Sequence, residues 1–518
     1  MTSRPMAALA AVACALAVPA GAAAPGAAEL FATHCAACHG ADRLGGIGPA
    51  LLPENLERLR KPLAAETIAK GRLATQMPAF EPTLAKDEID ALVAFVYTPP
   101  PTRPVWGAKE IEATRVVYHA EGTLPAKPQF AADPLNLFVV VESGDHHASI
   151  LDGDRLERIA RFKTRFALHG GPKFTPDGRY VFFASRDGWV TKYDLWNLET
   201  VAEVRAGINT RNIAVSSDGK WVVAGNYLPH TVVLLDARDL SLVRLIPAAD
   251  RAGRSSRVSA VYDAAPRRSF IVALKDVPEL WELPYDPKAP PVYEGYVHDY
   301  RMGEGLAEKG PFPVRRIALD DVLDDFFFDA PYDHLIGASR EAGKGQVVNL
   351  NVRRKIATVD LPGLPHLGSG ITWEWNGTPV VATTNLKDGV VSVVDMKSWK
   401  TVAAIPVNGP GFFLRSHDAT PYAWVDAMNS AKKDTLQVID KRTLAVVRSL
   451  TPAPGKTAAH VEFDRYGKYA LASVWENDGA IVVYDAATFA EVKRIPASKP
   501  VGKYNVWNKI TREAGTSH

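Results

Sequence analysis

The sequence predicts two unlike parts in tandem: a short all-α domain, then a long all-β domain closed as an eight-bladed propeller. Three observations carry this prediction. Cys35-Ala36-Ala37-Cys38-His39 sits among short amphipathic helices, Thr98-Pro99-Pro100-Pro101-Thr102-Arg103-Pro104 breaks the chain, and beyond it short strands recur every 42–45 residues. A length of 518 residues already exceeds one ordinary domain. With 47% hydrophobic and 23% charged residues the composition is that of a globular protein. The formal charge of +2, from 60 basic and 58 acidic residues, leaves no basic footprint for nucleic acid or an anionic membrane.

The opening stretch Met1–Ala24 has an apolar run from Met6 to Val18, followed by Pro19-Ala20-Gly21-Ala22-Ala23-Ala24. It reads as a secretory signal cleaved near Ala22–Ala24, and it is too short for a membrane span. A lipoprotein signal retaining Cys14 is the alternative, but Ala11-Val12-Ala13 matches it poorly. The mature chain is expected in the periplasm, with domains at 25–98 and 108–518 joined by a linker at 99–107.

In the first domain the C-x-x-C-H motif is the pattern by which two cysteine sulfurs attach a haem and the histidine ligates its iron. A zinc site would need a second Cys/His pair, and a redox dithiol would not need His39. Cys35 and Cys38 are therefore the expected haem c attachment points and His39 the iron ligand. Gly45-Gly46-Ile47-Gly48-Pro49 is a turn-rich loop suited to pack beside His39. Met77 is the only methionine between the motif and the end of the domain, and is the expected sixth ligand; a core methionine is the alternative. Ile89, Leu92, Val93 and Val96 mark a closing helix over Asp87–Tyr97. These features resemble a class I cytochrome c. The proline run after them favours an extended connector.

From residue 108 the period changes. Apolar runs end on Asp152, Asp194, Asp236, Asn351, Asp395, Asp440 and Asp485, with turn signals such as Pro176-Asp177-Gly178 and Ser217-Asp218-Gly219 between them. The gap from Asp236 to Asn351 holds one degenerate copy, around Leu280-Trp281-Glu282-Leu283, and an insertion from Tyr285 to about Pro313. That makes eight units of several strands each, the signature of a propeller. The fold by itself names no ligand.

A class I cytochrome c followed by an eight-bladed propeller resembles the cytochrome cd1 group, whose propeller holds haem d1. Ala167-Leu168-His169-Gly170-Gly171, Ser185-Arg186-Asp187-Gly188 and Gly207-Ile208-Asn209-Thr210-Arg211 follow in that group's order. The resemblance implies His169 as the proximal iron ligand, with Arg186 and Arg211 suited to the macrocycle's carboxylates. Of the two distal histidines of the nitrite reductases only His366 is matched; Phe328, in Asp325-Phe326-Phe327-Phe328-Asp329, stands for the other.

The C-terminal part is closer to the dihydro-haem d1 dehydrogenases, through Lys456-Thr457-Ala458-Ala459-His460-Val461-Glu462-Phe463 and Gly502-Lys503-Tyr504-Asn505-Val506-Trp507-Asn508. This implies oxidation of a propionate of dihydro-haem d1 to the acrylate of haem d1, with electrons leaving through haem c. His460 and Tyr504 are implied as catalytic and His366 as distal to the iron. An imidazole suits the base role, and a phenol can donate a hydrogen bond to the side chain. The implied partners are a tetrapyrrole substrate, a periplasmic electron acceptor, and nitrite reductase or another haem d1 assembly protein. The alternatives are a cytochrome cd1 nitrite reductase and a non-catalytic haem d1 carrier.

Overall fold

The computed structural model describes residues 26–512, except 47, 58, 72–76, 169–170, 294–306, 309 and 339–342. The expected signal segment and His169 therefore lie outside the described residues. No helix among the described residues is long and apolar enough to cross a membrane.

The N-terminal part is helical. Ala27–His34, Ala36–His39, Lys61–Lys70 and Lys86–Val96 pack around Leu30, Phe31, Leu56, Ile89, Leu92 and Val96. The helix Lys86–Val96 starts one residue before the expected Asp87, because Glu88 turns back to accept the Ala85 N–H at 2.8 Å. Past the proline-rich segment, Ala108–Thr114 forms a helix and Val116–Val117 a strand. This strand adds an extra outer edge to the sheet that ends in Glu199–Arg205.

Eight antiparallel sheets follow, as the repeat predicts. Each has four strands, apart from that fifth edge. Seven blades are local in sequence. The remaining one, the first in chain order, closes the ring: the last strand, Pro500–Asn505, pairs with Leu137–Glu142, setting Val139 opposite Tyr504 and Val140 opposite Lys503. A closing helix, Val506–Thr511, follows directly, its first turn capped by the Asn505 side chain on Asn508 N at 3.2 Å.

The acidic or amide residue that marks the repeat is a turn cap. Asp395 Oδ1 accepts from Lys397 N (2.7 Å) and Ser398 N (2.8 Å), and Asp440 Oδ1 from Arg442 N and Thr443 N, both at 2.8 Å. Asn349 does the same for Asn351 and Val352. The equivalent in that blade is thus Asn349, two residues before the expected Asn351. Four residues beyond each cap an apolar or long side chain takes left-handed backbone: Leu156, Leu198, Leu240, Arg353, Trp399, Leu444 and Phe489 all have φ between 56° and 62°. Such backbone costs about 1–2 kcal/mol for a residue with a Cβ. The capped turn offsets it, as does the N–H returned to the cap's own carbonyl, for example Trp399 N to Asp395 O at 2.8 Å. The fourth blade has no such turn, because its third strand, Glu279–Pro284, runs into the insertion before Arg315–Ala318 completes the sheet. That is why its copy looked degenerate.

The helical domain is seated on the second, third and fourth blades. Ala50 and Leu52 pack with Ile208 and Leu228. Arg205, buried under Trp106 with the guanidinium 4.6 Å from its ring, donates to Leu44 O, and Arg257 pairs with Glu57 at 3.0 Å.

Asp395→Ala removes two hydrogen bonds from a turn that holds Trp399 left-handed. It should lower unfolding stability by about 1–3 kcal/mol and leave haem content unchanged. Backbone N–H groups, led by Ser398, hold the Asp395 carboxyl below its ordinary value. The stabilisation is therefore present above the unfolded-state carboxyl pKa and is lost as pH falls through the depressed folded one. Unfolding curves of both proteins at neutral and strongly acid pH measure this.

Candidate haem centre and axial pocket

Two sites are built. In the helical domain the chain turns at Cys35 and re-enters a helix at Ala36–His39, so both sulfurs and the imidazole leave one turn of backbone. His39 Nδ1 donates to Pro49 O at 2.8 Å. A carbonyl can only accept, so the proton is fixed on Nδ1 and Nε2 presents its lone pair. Burial lowers the His39 pKa, which keeps the ring in its neutral, ligating form. Gly48 lies against that ring: a Cβ there would come within 2.7 Å of Cε1. Burial, and then Cys38, push the Cys35 thiol up to about 11. Met77 is half-buried and packs its carbonyl close to Gly71, which needs φ +69° there. The residue set fits a covalently attached haem.

The second site lies where the inner strands of the propeller converge. Arg211, His366 and Tyr504 line one cavity together with Leu168, Phe412 and Trp475. Leu168 and Gly171, on either side of 169–170, both belong to its wall. Arg186 is half-buried in the adjoining loop, its N–H on Ala167 O at 3.0 Å. His366 donates from Nδ1 to Phe412 O at 2.7 Å, with Ser369 Oγ at 3.1 Å. Burial lowers its pKa, against the influence of Asp325 and the Phe412 carbonyl.

Tyr504 reaches the cavity from the closing strand, and burial pushes its phenol up to about 12, so it remains a neutral donor. His460 is fully buried behind the wall, its ring 4.5 Å from Phe413 and 5.1 Å from Tyr504 between centroids. Its Nε2 meets no hydrogen-bond partner among the described residues. Burial, then Lys503, Arg415 and Lys509, drive its pKa well below the ordinary value, so the ring is neutral.

The sequence expectation for Phe328 needs correction. Phe328 belongs to the blade core, 4.8 Å from Tyr332 and 5.3 Å from Phe326 between ring centroids. Asp325, on the same strand, instead accepts from Tyr262 Oη at 2.8 Å and lies within electrostatic reach of His366 and Lys173, which come from other blades. A run of three phenylalanines hides the strand's period of two, which puts Asp325 and Phe328 on opposite faces. The strand brings a carboxylate, not a second histidine, toward the site.

Residues 132–296 and 305–509 match the family model described as the cytochrome D1 heme domain, and 22–96 match one described as cytochrome c oxidase, cbb3-type, subunit III. The chain belongs to the cytochrome d1 haem-domain family. Within it, the chain is 57% identical over 495 residues to dihydro-heme d1 dehydrogenase of Pseudomonas aeruginosa, covering 96% of each chain. It is 25% identical to nitrite reductase of Stutzerimonas stutzeri over 93% of this chain and 92% of that one. A solved structure of dihydro-heme d1 dehydrogenase NirN in complex with DHE superposes with a TM-score of 0.87, at 57% identity, covering 93% of this chain and 99% of the other.

Two buried groups behind the wall of this pocket carry little mark in the sequence. Asp426, almost fully buried, accepts from Phe412 N (2.7 Å), Phe413 N (3.1 Å) and His460 N (3.3 Å). Lys503, with no exposed surface, donates from Nζ to the His460 carbonyl and to Ser473 Oγ (2.7 Å). Asp426 ends a strand like any turn-capping aspartate of the repeat, so spacing could not mark it. Lys503 had one available signal, a lysine beside Tyr504 in an otherwise apolar and small-residue strand.

Gly48→Ala tests the haem side. The added methyl must displace His39 from Pro49. We expect less covalent haem in the pyridine haemochrome assay and a shifted haem c midpoint potential, with the propeller's melting temperature unchanged.

Proposed function

We propose that this chain oxidises one propionate side chain of dihydro-haem d1 to the acrylate of haem d1. The observation that carries the reading is the convergence of Arg211, His366 and Tyr504 on one axial cavity, with His460 packed against Tyr504. The likeness to the dehydrogenase over nearly the whole chain supports it. His169 is the proposed proximal ligand of the tetrapyrrole iron, His366 its distal neighbour, and Arg186 and Arg211 the partners of peripheral carboxylates. Met77 is proposed as the sixth ligand on the haem c iron.

Forming the C=C bond removes two protons and two electrons from the side chain. His460, neutral at physiological pH, takes one of the two protons from carbon at Nε2, the other passing to solvent as the two electrons leave one at a time by way of haem c. The contact from Lys503 N to Nδ1 is 3.4 Å, the long limit of a hydrogen bond, so it biases the tautomer without fixing it. Substrate carboxylates offset the nearby cations and raise the basicity of the ring. Tyr504, a neutral phenol, donates a hydrogen bond that orients the side chain. Haem c, held by Cys35, Cys38 and His39, supplies one-electron transfer to an acceptor in the periplasm, where the leader Met1–Ala24 directs the chain. Nitrite reductase, as recipient of the product, is a further proposed partner.

His460→Ala should bind the precursor with little loss and convert it on the order of 100-fold more slowly; Tyr504→Phe should lose the same or less, again in turnover. Anaerobic single-turnover spectra with acrylate product analysis decide this, and normal conversion by a folded His460→Ala protein removes the base. Nitrite turnover with an electron donor would instead support the nitrite reductase reading. Tight binding with an unchanged precursor spectrum would support the carrier reading.

The base must be unprotonated, so conversion is present above the His460 pKa and fails as pH falls through it. Because that pKa lies well below the usual 6.5 in the free protein, the acid limb of kcat/KM should sit below the range of an ordinary histidine, and that of kcat, read in the substrate complex, should lie above it.

A further inference from the structure

His460 is held in a conformation its sequence neighbours do not explain. It has φ +46°, and the pairing between Ala458–Phe463 and Tyr469–Val474 slips at this residue, with Ala459 opposite Ser473 and Val461 opposite Ala472. It is the extra residue of a bulge, so its peptide groups fall outside the sheet ladder, and a bulge is a device that re-aims a side chain. Both of those groups are nevertheless satisfied, from other blades. The N–H meets Asp426 Oδ2 at 3.3 Å, from the seventh blade. The C=O meets Lys503 Nζ, from the closing strand, and Lys503 N also touches the ring at Nδ1.

We propose that Asp426 and Lys503 are a positioning pair that holds the His460 bulge, with the ring turned to Tyr504 and the axial pocket. Three features support the pair beyond its contacts. A left-handed histidine persists only where its surroundings over-determine it. Asp426 also holds Phe412 N, whose residue's carbonyl fixes His366 Nδ1, so one carboxylate ties both histidines of the site to the same frame. Burial pushes Asp426 up to about 6, against the backbone N–H groups it accepts, and Lys503 down to about 7, against the opposite charges of Glu462 and then Asp426. Glu462, Arg415 and Lys509 face the same region. Two charges kept in a dry core are retained for the geometry they impose.

The inference rests on the assignment of His460 as base, and the test separates the two. Removing one group leaves the other still holding one end of the bulge, so the variant is the double Asp426→Asn, Lys503→Met, compared with His460→Ala and the triple combination. We expect the double variant to bind dihydro-haem d1 within about threefold of the unaltered protein, with kcat lower on the order of 100-fold. The triple variant should be no slower than His460→Ala alone. A double variant converting at nearly the unaltered rate while His460→Ala is slow overturns the pair alone. So does a triple variant whose losses multiply. A His460→Ala protein that converts normally overturns the base assignment beneath it. If the double variant fails to fold, Ser473→Ala replaces it, since it removes the second group that aims Lys503 Nζ. A drop in kcat at unchanged KM then supports the pair, and an unchanged kcat overturns it.

Discussion

The chemistry of this molecule hangs on a carboxylate with almost no access to water. Asp426 satisfies three backbone N–H groups from two segments, and through them it fixes two aromatic rings, one histidine directly and another through a carbonyl. An isolated carboxylate in such a place would be expelled or protonated. Here the backbone N–H donors, led by that of Phe412, keep it. A partly satisfied polar network would be worse than an apolar core, so each member constrains the next. The wall of the pocket is rigid for that reason, and a rigid wall is what a reaction at carbon requires, since misplaced groups lose most of their catalytic advantage.

The propeller supplies that rigidity cheaply at its rim and spends its polar groups at the axis. Around the outside, the same capped turn with one left-handed residue recurs in seven blades. At the axis the blades differ, Arg211, His366, Trp475 and Tyr504 reaching the cavity from four different sheets. The helical domain is seated so that the loop behind His39 abuts the start of the strand Asn209–Val215: Pro49 accepts from the histidine, Ala50 and Leu52 touch Ile208, and Arg211 lines the pocket three residues on. The two centres are thus joined by a short, packed path and not merely by the proline-rich connector.

Much of this was legible. The haem motif carries its own spacing, and the turn caps survive as Asp or Asn because only a short side-chain acceptor can reach two following N–H groups. The fourth blade read as degenerate for a physical reason, the replacement of its capped turn by an insertion. Tyr504 and His460 were legible only through likeness to a family. Nothing in local pattern separates His460 from a structural histidine, and its bulge depends on residues 34 and 43 positions away. Phe328 misled because a run of three identical rings hides the alternation of the strand. Asp426 and Lys503 escaped because an aspartate at a strand end is what the repeat shows everywhere, and because the importance of a lysine appears only once two blades and the closing strand meet around it.

The ring closes with its last strand, and Asn505 bonds back to Asn136 across 369 positions of chain. Contacts of such long sequence separation form late. A chain emerging from its N-terminus therefore completes the domain that carries haem c first, while seven blades still lack their keystone. The closing strand, which brings Tyr504 into the pocket and Lys503 behind it, arrives last. Until it docks, the tetrapyrrole site has an open side and His460 has no lysine to hold its carbonyl. The wall of the tetrapyrrole pocket is thus complete only when the last strand has docked, and the timing of its completion is written into the order of its strands.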